Sequence, residues 1–205
     1  MAELPLVEKT NVLDVYSKIA SDFSRTRYKV WISVENFINQ FPKNTQFLEI
    51  GCGNGKNMLR PENFMGCDNC QQFVDICKQK NLNVILADAI NLPYSSNMFD
   101  VTLSIAVLHH LSSIERRTTA LKEMFRVTKL GGQLLIEVWC FEDNPRCGNK
   151  PDSMISWKYE NKTYLRYYHF FTKDDILNLF KKIECCRVDN IVLEKNNWIV
   201  YCSKI

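Results

Sequence analysis

Between Asn11 and Phe23 the apolar positions are Val12, Val15, Tyr16, Ile19 and Phe23, the spacing of one helical face. Trp31, Val34, Phe37, Ile38 and Phe41 repeat that period and predict a second helix ending near Pro42. From residue 46 the period changes to short apolar runs punctuated by turns. "TQFLEIGCGNGK" reads as a buried strand entering a glycine turn, "NFMGCDN" as a second strand and "QQFVDICKQK" as a helix. "NVILAD" predicts strand three and "FDVTLSIAVLHH" strand four.

Ser112, with Glu115 three residues on, has the form of a capping box opening a helix with stripe Ile114, Leu121, Met124 and Phe125. That helix should stop at Gly131-Gly132, ahead of strand five, "QLLIEVW". Thr172 caps a further helix, and "CCRVDNIVLEK" and "NWIVYCSKI" predict a hairpin turning at Asn196-Asn197. Strands alternating with helices specify an α/β fold with a mostly parallel sheet covered on both faces. Residues 141–163, with Pro145, Gly148 and Pro151, read as a long functional loop. A single domain over 1–205 is expected: helices in 1–44, a core in 45–140, a substrate-side loop in 141–171, and a helix with hairpin in 172–205.

Composition narrows the class only slightly. The chain has 205 residues, 46% of them hydrophobic, and a formal net charge of +3. Such a balance does not by itself require a nucleic-acid partner. Nine cysteines include one C-x-x-C (Cys67, Cys70) without a second pair at zinc spacing, so packed, reduced thiols in an intracellular protein are expected. No apolar run approaches the roughly 20 residues that cross a membrane.

The chemistry concentrates at strand ends. Gly51, Gly53 and Gly55 alternate after strand one, as they would where backbone must approach a ligand. The spacing is G-x-G-x-G, one residue short of the dinucleotide fingerprint. Glu49 precedes the turn, Asp68 ends strand two, and Asp88 with Ala89 ends strand three. These positions gather where open α/β sheets bind ligands. Two of the three histidines, His109 and His110, stand side by side after strand four. Side chains alternate along a strand, so strand geometry carried that far lets only one face the cleft.

In combination, residues 46–140 resemble the Rossmann-like class I methyltransferases that use S-adenosylmethionine. The resemblance implies a seven-stranded, mostly parallel sheet with a C-terminal antiparallel hairpin. It also implies a cofactor site drawn from Tyr16, Gly51, Gly53, Gly55, Asp68, Asp88, Ala89 and Ile105.

Nearly the whole chain is similar to the eukaryotic tRNA wobble-uridine methyltransferases. The similarity runs through "VYSKIASDFSRTRYKVW", "GCGNGK", "LPYSSNMFD", "SIAVLHHLSSIERR", "GGQLLIEVW", "RYYHFF" and "NNWIVY". That family methylates the carboxylate of 5-carboxymethyluridine. Fungal members carry a long charged insertion after strand five that is short here. The likeness implies His109, His110, Arg27 and Tyr28 near the reacting groups, with His109 favoured as the donor facing the cleft. Arg25, Arg27, Lys29, Trp31, Arg166, Tyr167, His169 and Trp198 would meet tRNA, and no metal is implied. Arginine interleaved with aromatics suits phosphate contacts and base stacking; solvated arginines at a helix end and an edge strand are the plainer reading. The likeness also implies a small zinc-binding activator docked on the edge of strand three and a cytoplasmic location, with the nucleus as a second compartment. The same cofactor core would equally serve a small-molecule or protein methyltransferase, or a non-catalytic RNA-binding subunit.

Overall fold

The computed structural model describes residues 3–142 and 144–205. The amphipathic N-terminal stripe forms one helical run: α1 (Leu6–Glu8), a π-helical segment (Lys9–Leu13) and α2 (Asp14–Thr26). Next comes α3 (Ile32–Ile38). The alternating core follows as β1 (Phe47–Ile50), β2 (Phe64–Asp68), α4 (Gln71–Gln79), β3 (Val84–Leu86), β4 (Phe99–Ile105), α5 (Ile114–Val127) and β5 (Thr128–Trp139). The chain ends with β6 (Asp152–Tyr159), β7 (Lys162–His169), α6 (Lys173–Phe180), β8 (Cys186–Glu194) and β9 (Asn197–Lys204).

Seven strands form one sheet in the order β3-β2-β1-β4-β5-β9-β8. The first five are mutually parallel; β9 runs antiparallel to both its neighbours. This is the seven-stranded arrangement with a C-terminal antiparallel hairpin that the motifs imply. Every residue of β1 is buried. Leu48 and Ile50 enter the core beneath α5 and α6, while Phe47 enters the one beneath α3 and α4. The period-2 geometry of a strand distributes its side chains in this way between two covered faces. The order reverses at β1, which pairs with both β2 and β4, so a crevice opens at the carboxyl ends of these strands. Seven of the nine cysteines are buried. Among the described residues no helix is long and apolar enough to cross a membrane.

Local expectations fail in five places. Residues 141–163 are only partly loop, because β6 and β7 pair as an antiparallel hairpin from Asp152↔His169 to Tyr159↔Lys162. The turn residues Glu160 and Asn161 both have positive φ. "DSMISWKY" has the alternating exposure of a half-covered strand, a period overshadowed in the sequence by the neighbouring prolines. Strand four stops at Ile105, because Ala106 adopts φ +62° and a 3₁₀ turn (Leu108–His110) follows.

The cap of α5 is Ser113, which accepts from the Arg116 amide; Ser112 is instead held by Glu8 through both its amide and its hydroxyl. That helix ends at Val127 rather than at Gly131-Gly132, and the C-terminal hairpin turns at Lys195-Asn196, one residue early. Thr172 caps α6 as expected, in a reciprocal box with Asp175.

Candidate active site

The glycine turn and β2 build one wall of a cavity of about 510 Å³. Gly51 has φ +65°, and a Cβ there would stand 2.4 Å from Val107. Gly53 has φ +53°, but a Cβ there would meet nothing within 4 Å, so its bareness leaves room on the ligand side. The Gly53 amide donates to Asp68 Oδ2 at 2.8 Å and the Cys70 amide to Oδ1 at 2.9 Å. Asp68 thus fixes the turn while each of its oxygens retains a lone pair. Burial lifts its pKa to about 6 against the pull of those amides.

Glu49 lines the same wall. Its Oε1 accepts from Asn57 at 2.7 Å, while its buried Oε2 has no partner. Desolvation lifts its pKa to about 8. At the same end, Asp88 is held by Arg116 at 3.2 Å, and Arg116 in turn pairs with Glu8 at 2.9 Å. Glu8, Glu49, Asp68 and Asp88 make this end of the cavity acidic.

The opposite end is aromatic and basic. Because β4 gives way to a 3₁₀ turn, strand alternation no longer applies, and both histidines line the cavity. The His110 Nδ1 lies 2.8 Å from the Tyr167 carbonyl, which can only accept. Nδ1 therefore carries the proton, and Nε2 accepts from the Tyr16 hydroxyl at 3.0 Å. Burial lowers the His110 pKa to about 3. His109 Nδ1 accepts from the Trp139 amide at 3.3 Å, which assigns the proton of the neutral ring to Nε2. Burial first, then His110, Arg166 and His169, holds the His109 pKa well below its usual value. Among the described residues its Nε2–H has no hydrogen-bond acceptor.

Arg166, on β7, is buried to 6% exposure. Its Nη1 donates to the hydroxyls of Tyr168 at 2.8 Å and Tyr16 at 3.2 Å, and its guanidinium lies over the rings of Tyr16, Trp157 and Tyr168. Its hydrogen bonds among the described residues go to tyrosine hydroxyls and to no carboxylate, and its buried Nε lacks a partner there. Removing an ion from water costs several kcal/mol even after relaxation. Ring faces return about 0.5–2 kcal/mol each. An anion is the missing complement. Arg146 lies over Trp139, and Arg27 over Trp157; Trp139 stacks on Tyr168 at 4.3 Å between centroids.

The residues expected from sequence divide unevenly. Tyr16, Gly51, Gly53, Asp68, Asp88, Ala89, Ile105, His109, His110, Arg27, Trp31 and Arg166 all line the cavity. Gly55 does not; the space its Cβ would occupy is filled by Leu82 at 2.3 Å. Tyr28 is 66% exposed and, with Lys29, borders a second cavity instead. Arg25 is a surface side chain paired to Asp22. Tyr167 and His169 bind Asp152 on the far side of the hairpin. Trp198 is core, with its indole nitrogen donating to Glu142 and to the Phe171 carbonyl. Sequence reasoning overlooked Lys56, Trp139 and Trp157 as cavity walls, although Trp157 stands in the alternating run that forms β6; Tyr168 lies within the "RYYHFF" stretch expected to meet tRNA.

The acidic end fits a cationic nucleoside cofactor: an orphaned Glu49 oxygen for an ammonium, Asp68 lone pairs for ribose hydroxyls, and open space at Gly53. Fold and cavity together define a Rossmann-like methyltransferase, a class whose cofactor is S-adenosylmethionine. A methyltransferase-domain family matches residues 48–136. The structure of CalS10 with S-adenosylmethionine bound, an amino pentose methyltransferase from Micromonospora echinaspora, matches the fold with TM-score 0.69 at 13% identity. The match covers 91% of this chain and 97% of that one. The tRNA (carboxymethyluridine(34)-5-O)-methyltransferase of Schizosaccharomyces pombe is 35% identical over 225 residues, 96% of this chain and 97% of the relative. That of Arabidopsis thaliana is 46% identical over 140 residues, 67% of this chain. There the chain spans only 35% of the relative's length. The chain belongs to the tRNA (carboxymethyluridine(34)-5-O)-methyltransferase family.

Proposed function

We propose that the protein methylates the carboxylate of 5-carboxymethyluridine at the wobble position of tRNA, giving 5-methoxycarbonylmethyluridine. The observation that carries the reading is Arg166, a buried guanidinium without a carboxylate partner among the described residues, in the same cavity as the glycine turn. S-adenosylmethionine supplies an activated methyl group on a sulfonium. The acceptor carboxylate, with a pKa of about 4, is ionised at neutral pH and needs no general base. Two neutral histidines suit that chemistry.

Arg166 anchors one carboxylate oxygen, His109 Nε2–H steadies the group, and the stacked Trp139 and Tyr168 exclude water beside it. Alignment of this kind supplies about 7–11 kcal/mol in well-oriented systems. Arg27 and Arg146, at the same end of the cavity, would meet the tRNA backbone. Nucleoside mass spectrometry of tRNA incubated with protein, activator and S-adenosylmethionine is the test. The methyl ester of 5-carboxymethyluridine is the expected product; methylation on base or ribose would refute the reading.

The proposal extends to a partner and a compartment. Strand β3 is at the sheet edge, bonded to β2 alone, and Leu86 is 48% exposed. Unpaired apolar edges recruit a second chain, which supports a small zinc-binding activator docked here. Co-expression with it should raise soluble yield; full activity of the isolated monomer would argue against it. The setting proposed is the cytoplasm, with the nucleus as a second compartment.

A further inference from the structure

A second cavity, of about 590 Å³, adjoins the first. Arg27, Trp31, Lys56 and Asn197 line both, so one cavity continues into the other. Its walls are unlike those of the acidic cofactor end. Tyr28 presents a ring at 66% exposure, and Ile32 is 61% exposed beside it. Lys56 Nζ lies 5.3 Å above the Trp31 ring. Lys195 adds a cation from the β8–β9 turn, where it holds φ +48° and lies 3.8 Å from Glu194; with Arg27, Lys29 and Lys56 the cations of the lining outnumber its two carboxylates, Glu137 and Glu194. A lysine is an uncommon occupant of the left-handed region, which favours glycine and asparagine.

Inside the same wall, two buried acceptors, Glu137 Oε2 and Asn197 Oδ1, have no donor among the described residues. An exposed tyrosine among cations, with polar groups awaiting partners behind it, has the composition of a single-stranded nucleic-acid platform. A bare apolar groove for a peptide would lack these charges.

We infer that this second cavity is a subsite for the ribonucleotide adjacent in sequence to the one being methylated, with its base stacked on Tyr28 and its phosphate met by Arg27 and Lys195. The subsite rests on the proposed reaction and adds to it a role for residues that do not line the cofactor cavity. A nucleotide seated there shares the Arg27–Trp31 partition with the target base. The enzyme would thereby read a dinucleotide step rather than an isolated uridine.

The test compares an anticodon stem-loop bearing 5-carboxymethyluridine with the corresponding mononucleotide. Tyr28→Ala and Lys195→Ala should each raise the KM for the stem-loop, by about tenfold for the tyrosine. They should leave kcat and the mononucleotide reaction within about twofold. A stem-loop abasic at one of the two neighbours of the target should show the same KM rise and lose sensitivity to Tyr28→Ala. The subsite is refuted if both abasic stem-loops react like the intact one, or if Tyr28→Ala slows the mononucleotide equally. Should wild-type protein supplied with the activator methylate neither substrate, the proposed reaction fails. Fluorescence anisotropy of the same stem-loops with wild type and Tyr28→Ala then decides the subsite on its own.

Discussion

The two ends of the main cavity are built by different means. At the acidic end, Gly51, Gly53 and Asp68 sit within 18 residues of one another, and two backbone amides lock the turn to the carboxylate. At the aromatic end, Tyr16 meets His110 across 94 residues and Arg166 across 150. One end is local backbone geometry; the other is long-range side-chain packing. A methyl donor common to many enzymes suits the first kind of construction, and a particular acceptor suits the second.

The largest expected effect tests that partition directly. Arg166→Met should lower kcat/KM for a 5-carboxymethyluridine stem-loop by about 10²–10³-fold, the loss typical of removing one preorganised electrostatic contact. Cofactor affinity by titration calorimetry should stay within about twofold; parallel loss of both would erase the distinction between the ends. Asp68→Ala should do the reverse, weakening cofactor binding by about 10–100-fold, since hydrogen bonds to charged groups contribute roughly 1.5–3 kcal/mol. It also strips the Gly53 and Cys70 amides of their acceptor, so the melting temperature should fall. Tyr168→Phe keeps the stack on Trp139 but removes the hydroxyl 2.8 Å from Arg166. Its turnover should drop about tenfold with no change in cofactor affinity.

The smallest effect is a pH dependence confined to the acidic end. Without ligand, the Glu49 carboxyl is raised from 4.5 to about 8. Its contribution to stability is therefore full below about 4.5 and lost as pH rises through about 8. Thermal melts of the cofactor-free protein should show that decline. A cationic cofactor pulls the pKa back down and releases the proton, so cofactor affinity should rise with pH and level off above about 8. Glu49→Gln should flatten the rise; an unchanged slope would exonerate Glu49.

How much of this was legible in the sequence follows the same division. The glycine spacing, the strand-end aspartates and the helical stripes depend on near neighbours and led to the turn, the strand ends and the helices; of the turn and strand-end residues, Gly51, Gly53, Asp68 and Asp88 line the cavity and Gly55 does not. The histidine pair was found but its geometry was not, since nothing in "SIAVLHH" announces that Ala106 turns left-handed. "RYYHFF" was noticed as a surface for tRNA, yet pairing with β6 turns Arg166 inward and leaves Tyr167 and His169 on the opposite face. Which face a β-strand buries depends on its partner, and β6 was hidden among prolines. The family likeness implied that Tyr28 stands near the reacting groups; just past the end of α2 it borders the second cavity alone, whereas Arg27 lines both.

The β6–β7 ribbon is not a strand pair of the seven-stranded sheet. At its base a lone β-bridge, Cys140↔Phe171, ties the flanking chain together. Beyond that base the ribbon is held to the N-terminal helices and the histidine turn by bonds such as Trp157 to Asp22 and Arg166 to Tyr16, so it can be rebuilt without disturbing the hydrogen bonding of the sheet. A lineage could rewrite or lengthen it, and so change which molecule receives the methyl group, while inheriting the donor machinery untouched.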